Sequence, residues 1–561
     1  MRAKASKLVK ACIAYAWLGG LATAIAISAL YADRKARGVP EYPCCCDPFG
    51  YLQMAKDIRG VRADGRPEFV IESLHTRLLI DLMKSRNVPI PQWDDLVAPL
   101  AYHYFPETDQ IGVQYPPGVG LLFALFPEGK ALRRLNLLVA VIFGATGLLM
   151  LALAAVNHAW YSAGLVILSL DLGLEILGVI DNASFSINGI LLPLLLCALC
   201  LFLTFGLQED SRLTPVLRYV LVLLAGLFFG FAILVRMPVL LLMPGILLLL
   251  LPGRWRSWYK SACVIFIMGV VIGGIVPLAL HQRQMAGAWY LTTYPRYDTS
   301  PPTLRAFWPN VHYYFGPGKG SSFVWIWPVA FAGCAGLFLL TSRRQSSRAP
   351  SPPFLRNLTW ARLFASALLI WGISLAYFLT HPIANHVYPL PATLAAVLLL
   401  AFGAFHLERD SVRRNLSSRL SRRGAVLSMV GLVLALTPGL VVFSRAWVND
   451  HPPSPERTPQ RFSFPAELAD ERAWVWTSFL SGTLWYYERK AAHKISSSNA
   501  ETRAIVFKFV RDRGEPQFII GDDPGMKPVE DEIVQLGGVM ELRGEVYGLR
   551  YYLIHWPLKD H

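Results

Sequence analysis

Residues 219–238 read YVLVLLAGLFFGFAILVRMP. From Tyr219 to Val235 nothing is charged, and a helix of about 20 such residues crosses a hydrocarbon core. The run stops at Arg236, followed by Pro238. A guanidinium near membrane depth is costly and normally meets an anion or a carboxylate. The alternative is a snorkelling side chain that keeps its head in the interface. The stretch therefore fixes a membrane fold and marks a cation at the end of one span.

The same pattern recurs along the chain. The chain has 561 residues, of which 54% are hydrophobic and 16% charged, with mean hydropathy +0.40. A soluble chain carries roughly a quarter charged residues. By length and apolarity we expect about eleven spans. They run Leu8–Tyr31, Leu135–Val156, Tyr161–Ile180, Ile187–Phe205, Tyr219–Val235 and Pro238–Leu251, the last being short. The remainder are Ser261–Leu280, Phe323–Leu340, Leu363–Leu379, Leu390–Phe405 and Ala425–Phe443. The first follows Arg2, Lys4, Lys7 and Lys10 and is too long for the core of a cleaved signal peptide, so it reads as a retained span with a cytoplasmic N-terminus.

The net charge of +15 sits in short loops, such as Arg254/Arg256/Lys260, Arg343/Arg344/Arg348/Arg356 and Arg409–Arg423. With this span count each cluster falls inside, as short Lys- and Arg-rich loops require. The charge is thus an orientation signal, and nucleic acid is not the expected partner. There is no Walker A sequence, dinucleotide-binding glycine fingerprint or HExxH helix, so an ATP-driven pump or a membrane zinc protease has no support. Cys12, Cys197, Cys200, Cys263 and Cys334 lie in apolar blocks as packing residues. Cys44, Cys45 and Cys46 are adjacent, which is not the spacing of a zinc site.

The expected organisation is a membrane domain over 1–444, with a first outer loop at 32–134, and an extracytoplasmic α/β domain over 445–561. In the first loop, Phe49–Ile58 and Ser73–Lys84 have helical spacing suited to helices on the membrane surface. Val119–Phe126 is too short to span. After a Pro-rich linker at 452–459, the C-terminal segment predicts strands at Trp474–Phe479, Gln517–Ile520, Val539–Leu542 and Val546–Ile554. Helices are predicted at Gly482–Lys494, Glu501–Gly514 and Val529–Leu536.

Several polar groups stand where chemistry could occur. Asp47-Pro48 opens a helical run, and on spacing alone it reads as an N-cap with Pro at the first helical position. Asp171 and Glu175 share a helix face, while Asp181 lies in an outer turn, in the same water layer as Asp47. Two carboxylates there could bind a cation or orient a hydroxyl. Gln114-Tyr115-Pro116-Pro117-Gly118 fixes an extended turn, with His103, Glu107 and Asp109 nearby. Arg236, Arg283, Arg296, Arg305, Lys319, His381 and His386 supply outer cations, and a guanidinium fork matches a lipid phosphate.

In this order the residues resemble the GT-C superfamily of membrane glycosyltransferases that use polyprenyl-phosphate sugars. The likeness is to its branch of bacterial protein mannosyltransferases and aminoarabinose lipid A transferases. Asp47-Pro48-Phe49-Gly50-Tyr51-Leu52 is similar to the family's acidic residue ahead of a surface helix. Tyr115-Pro116-Pro117-Gly118, Asp181, Gly230 with Arg236-Met237-Pro238, and Phe315-Gly316 with Gly320 and Pro328 follow its sequence of motifs. His386-Val387-Tyr388-Pro389 resembles its Arg-Tyr-Pro segment, with His replacing Arg, and Ser481–Tyr487 with Arg489 resembles the start of its outer domain.

The resemblance implies a multi-pass protein of the bacterial inner membrane, with the C-terminal domain extracytoplasmic. It implies an inverting hexosyl or pentosyl transfer from a polyprenyl-phosphate sugar to a glycan, lipid or protein acceptor. Catalysis falls to Asp47 and Asp181, and substrate binding to Tyr51, Tyr115, Arg236, Lys319, His381 and His386. A divalent cation (Mg2+, Mn2+ or Zn2+) would have Asp47 and Asp181 as candidate ligands. The rival readings are a transporter or flippase of lipid-linked sugars and a non-catalytic envelope assembly protein. Against transport, the polar residues crowd the outer face and show no paired repeat.

Overall fold

The computed structural model describes residues 46–60, 70–71, 73–127, 130–131, 134–135, 137–139, 141–142, 162, 184–206, 215–250, 256–294, 302–315, 353–382, 388–389, 391–396, 398–400, 464–521, 524–546 and 549–557. They belong to two compact units. The first comprises residues 1–37, 133–277 and 300–451, and the second residues 38–132, 278–299 and 452–561.

The first unit is helical. Among the described residues three helices are long and apolar enough to cross a membrane: Val216–Val235, Ser261–Ala286 (whose last turns belong to the second unit) and Arg362–Thr380. They match three of the expected spans, and Ser184–Gly206 matches a fourth as a helix. The expected spans at 8–31, 323–340 and 425–443 lie outside the described residues, as do most of 135–156 and 161–180.

Pro238–Leu251 is not one helix. Arg236 is extended (φ −154°, ψ 114°), a 3-10 turn covers Met237–Leu242, and a short α-helix covers Met243–Leu250. Pro238 and Pro244 explain the break, since each lacks an N–H and fits only the first turn of a new helix.

Helix Pro215–Val235 packs tightly on Arg256–Val270 and on the π-turn Val271–Ile275 that follows it. A Cβ on Gly230 would lie 2.6 Å from the Val270 carbonyl oxygen and 2.8 Å from the Gly274 nitrogen. Small residues at such a crossing let backbones approach, which is how helices associate where no hydrophobic gain is available.

The second unit contains two sheets. Val70–Ile71 (β1), Tyr102–Phe105 (β2) and Gln110–Val113 (β3) form an antiparallel sheet in the order β1-β3-β2. Sequence reading does not find it, because two- and four-residue strands carry too little alternation. The other sheet is built from Trp474–Thr477 (β4), His493–Lys494 (β5), Gln517–Ile520 (β6), Val539–Val546 (β7) and Leu549–His555 (β8), in the order β5-β4-β6-β8-β7. The β4 strand pairs parallel with β5 and β6, and β8 pairs antiparallel with β6 and β7. The last two strands differ from expectation, since β7 continues through a register shift at Leu542/Gly544 and the turn falls after Val546.

Two predicted boundaries also change. The helix expected over 482–494 runs Ser481–Glu488 and stops at Arg489, which is left-handed (φ 53°). His493 and Lys494 then pair with Trp476 and Thr477, so tertiary pairing overrides local helical spacing.

Alternation along β4 sends side chains to opposite faces. Val475 joins Leu468, Leu484, Phe518, Ile520 and Tyr551 in one apolar core. On the other face Trp474 and Trp476 stack at 5.7 Å, and Phe507 meets Trp476 edge-on. His75, from the first-loop helix Leu74–Ser85, stacks on Trp474 at 4.0 Å. The His493 Nδ1–H donates to the Leu96 carbonyl (3.2 Å), and the Ser481 hydroxyl accepts from the Leu100 N–H (3.1 Å). The first loop and the C-terminal segment thus pack together.

Burial holds both imidazoles neutral, pushing His75 down to about 4 and His493 to about 3. Unfolded, each titrates near its ordinary value of about 6.5. Above that pH neither state binds the proton, so stability is flat. As pH falls below it the unfolded chain takes up protons that the fold refuses, and stability drops. We expect thermal unfolding to come earlier at pH 5 than at pH 7.5. The cost is about 2 kcal/mol for His493, and the difference should shrink in His493→Gln.

Candidate functional site

In the first unit the candidate site forms where three helix ends meet. Arg236 leaves the Pro215–Val235 helix, and its guanidinium lies over the Tyr388 ring, 4.0 Å from the centroid. Arginine stacks on aromatic faces with an attraction that grows as water is excluded. Tyr388 packs against Phe378 (5.9 Å), and Tyr377 against His381 (5.3 Å). Both pairs sit at the end of helix Pro353–Thr380. That end is closed by Asn310 on helix Leu304–Phe315, whose Nδ2 donates to the carbonyls of Phe378 (3.0 Å), Leu379 (3.1 Å) and His381 (2.6 Å). The Thr303 N–H adds a bond to the Thr380 carbonyl (2.7 Å).

Arg236 and His381, expected separately from sequence, therefore lie around one helix end. The Tyr388, Tyr377 and Asn310 side chains that assemble them were not singled out. Tyr388 had a signal, being part of the His386–Pro389 motif, whereas Asn310 had none. Lys319, His386 and Asp181 lie outside the described residues, as do Asp171 and Glu175.

In the second unit the Asp47 motif opens helix Cys46–Arg59. Asp47 is helical there, and its side chain is outside the described residues. Gly50 is pressed against the Tyr115 ring and Ala101, which a Cβ would approach to 2.7 and 2.8 Å. The Tyr51 and Tyr115 rings pack at 4.7 Å, and Tyr294 meets Tyr115 edge-on at 5.9 Å. The Thr293 hydroxyl donates to the Gln114 carbonyl (2.9 Å), and the His103 Nε2–H donates to the Thr293 carbonyl (2.6 Å).

These contacts join the DPFGYL motif, the QYPPG turn and the segment before Tyr294. Tyr51 and Tyr115 are each 3% exposed, and their ring contact ties the helix to the turn. At the far end of the helix Lys56 donates to the Tyr486 carbonyl (3.2 Å), and Arg489 pairs with Asp57 (3.7 Å).

Two of the spare candidates near Tyr115, Asp109 and His103, are engaged in packing and ion pairs. Asp109 accepts from Lys84 (2.6 Å), Tyr104 (2.6 Å) and Arg77 (2.8 Å), and the Lys84 hydrogen bond leads in holding its carboxyl down to about 2. His103 is buried against Phe105. Among the described residues no group of three or more His, Cys, Asp or Glu could hold a metal.

No protein-family model matches the chain, and no curated protein matches it. Among solved structures it is similar to ArnT from Cupriavidus metallidurans bound to undecaprenyl phosphate, at 12% identity and TM-score 0.46, over 95% of this chain and 98% of that one. The apo state of that ArnT is similar at 11% identity and TM-score 0.43, over 90% and 95% of the two chains. An Archaeoglobus fulgidus oligosaccharyltransferase tethered to an acceptor peptide is similar at 12% identity and TM-score 0.40, over 92% of this chain and 70% of that one. At these scores the functional reading rests on the residues themselves.

Gly50 offers a direct test of the packing around the DPFGYL helix. Gly50→Val forces a branched side chain into the Tyr115 ring, and overpacking costs roughly 1–3 kcal/mol. A lowered thermal midpoint in detergent is expected, with Gly60→Val, at the other end of the same helix, much milder.

Proposed function

We propose that this chain is an integral-membrane glycosyltransferase that moves a sugar from a polyprenyl-phosphate donor to an acceptor hydroxyl at the extracytoplasmic face, with inversion. The observation that carries the reading is Arg236 seated over Tyr388 at the end of a membrane span. A guanidinium kept at that depth and oriented by an aromatic ring suits a lipid-borne phosphate, which a soluble substrate would not present there.

In this reading Asp47 takes the proton of the acceptor hydroxyl as its oxygen bonds to the anomeric carbon. The bond from that carbon to the phosphate oxygen breaks, and its electron pair leaves with the lipid phosphate. Arg236 stabilises the charge that develops there. His381, together with Lys319 and His386, adds cationic or hydrogen-bonding contacts to the donor. Tyr51 and Tyr115 contact the substrate, and their packed rings also hold the helix that carries Asp47. Asp181 is a second acid. Two carboxylates form a hard oxygen donor set, suited to Mg2+ or Mn2+ more than to Zn2+, and a bound cation would neutralise phosphate charge. The domain division at 444/445, the inner-membrane location and the orientation belong to the same proposal.

The test is turnover of polyprenyl-phosphate sugars by the purified chain. Asp47→Asn should lower turnover at least ~100-fold, the scale of a lost general base, while insertion and thermal midpoint stay unchanged. Full activity in that variant would remove Asp47 from the mechanism, and no sugar consumption by the wild type would leave transport as the better reading.

Arg236 and Tyr388 give a graded series. Arg236→Ala should lower kcat/KM for the donor by about 30-fold or more, as expected for a lost charged hydrogen bond. Tyr388→Phe keeps the ring and should be near wild type, whereas Tyr388→Ala should lose about 3- to 30-fold, the worth of a cation–π contact.

A further inference from the structure

The Leu304–Phe315 helix has two faces of different fate. Phe307, Asn310, Val311 and Tyr314 turn inward, where Tyr314 is fully buried in a cluster with Leu375, Phe378 and Leu379. The opposite face carries Leu304 and Trp308, one turn apart, which are 84% and 74% exposed, with Arg305 and His312 exposed beside them. Fully exposed Leu and Trp are a poor solution in water, because each large apolar side chain left out forgoes roughly 1.5–3 kcal/mol.

The depth of this helix is fixed by its partner. Asn310 and Thr303 bond the last carbonyls of Arg362–Thr380, a helix long and apolar enough to cross a membrane. The end of a span lies where hydrocarbon gives way to headgroups, so the exposed face sits at that level. Tryptophan is enriched at this level, and a cation such as Arg305 beside an apolar face suits anionic headgroups.

We propose that the Leu304/Trp308 face is a lipid-contact surface, lying in the bilayer plane at the headgroup–acyl boundary beside the Arg236 site. Leu304 and Trp308 enter the upper acyl region, and Arg305 and His312 reach the headgroup phosphates. The inference stands on placement and exposure and is independent of glycosyl transfer.

The full-length chain reconstituted into phosphatidylcholine/phosphatidylglycerol vesicles provides the test. Subtracting the emission of Trp308→Phe from that of the wild type isolates Trp308. In vesicles whose phosphatidylcholine carries bromine high on the acyl chain, this difference emission should be blue-shifted and lose more than half its intensity. Bromine low on the chain should quench it less, and aqueous iodide should leave it almost unchanged. Emission at the wavelength of water-exposed tryptophan with strong iodide quenching would overturn the proposal. So would stronger quenching by the deep bromines, or shielding from every quencher, which a protein partner or a second copy on this face would produce. Trp308→Phe keeps an aromatic ring on an exposed position, so folding is not at stake.

Discussion

A helix that ends at the edge of a hydrocarbon layer leaves its last carbonyls without intrahelical partners, and water is scarce there to take them. At Thr380 the demand is met by one side-chain amide and one backbone N–H, from Asn310 and Thr303. The arrangement around the candidate phosphate site follows from that closure. It brings the Leu304–Phe315 helix against the span and holds Phe378 where Tyr388 can pack on it, so that Arg236 has a ring to stand over.

The second unit is organised by burial. Its interior strand β4 has no exposed residue, because the apolar core lies on one face and His75 and Phe507 pack on the tryptophans of the other. Helix Cys46–Arg59 is held within this unit at both ends, by Gly50 against Tyr115 and by Arg489 against Asp57. If Asp47 is the base, its backbone is positioned by contacts that reach into the C-terminal segment.

What could be read from the sequence was what local composition encodes. Uninterrupted apolar runs gave Tyr219–Val235, Ser261–Leu280 and Leu363–Leu379, and Pro238 marked the break after Arg236. Helical spacing gave Leu74–Ser85 and Ala500–Asp512 nearly to the residue. Long-range pairing was not legible. The β5 strand is two residues long inside a stretch of helical spacing, and only Trp476 and Thr477 make it a strand. Nothing in Ser73–Lys84 announces that His75 will stack on a tryptophan of the C-terminal segment, so the helix reads as a membrane-surface element. The Arg236 site was half visible, because a cation at a span end stands out and an asparagine in an aromatic helix does not.

The packing of the first loop on the C-terminal segment also has a history in time. Leu100 and Ser481 are 381 residues apart in the chain yet bond directly. At synthesis rates of 5–20 residues per second, roughly 20–80 s separate the appearance of the first loop from that of the sheet completing it. Through that interval His75 has no Trp474 to stack on, and the Leu96 carbonyl has no His493 to bond. A nascent chain in this condition depends on the membrane surface or on a chaperone for cover. Truncation before β4 would make the temporary state permanent, so premature stop products should be degraded even though most of their spans are already in place.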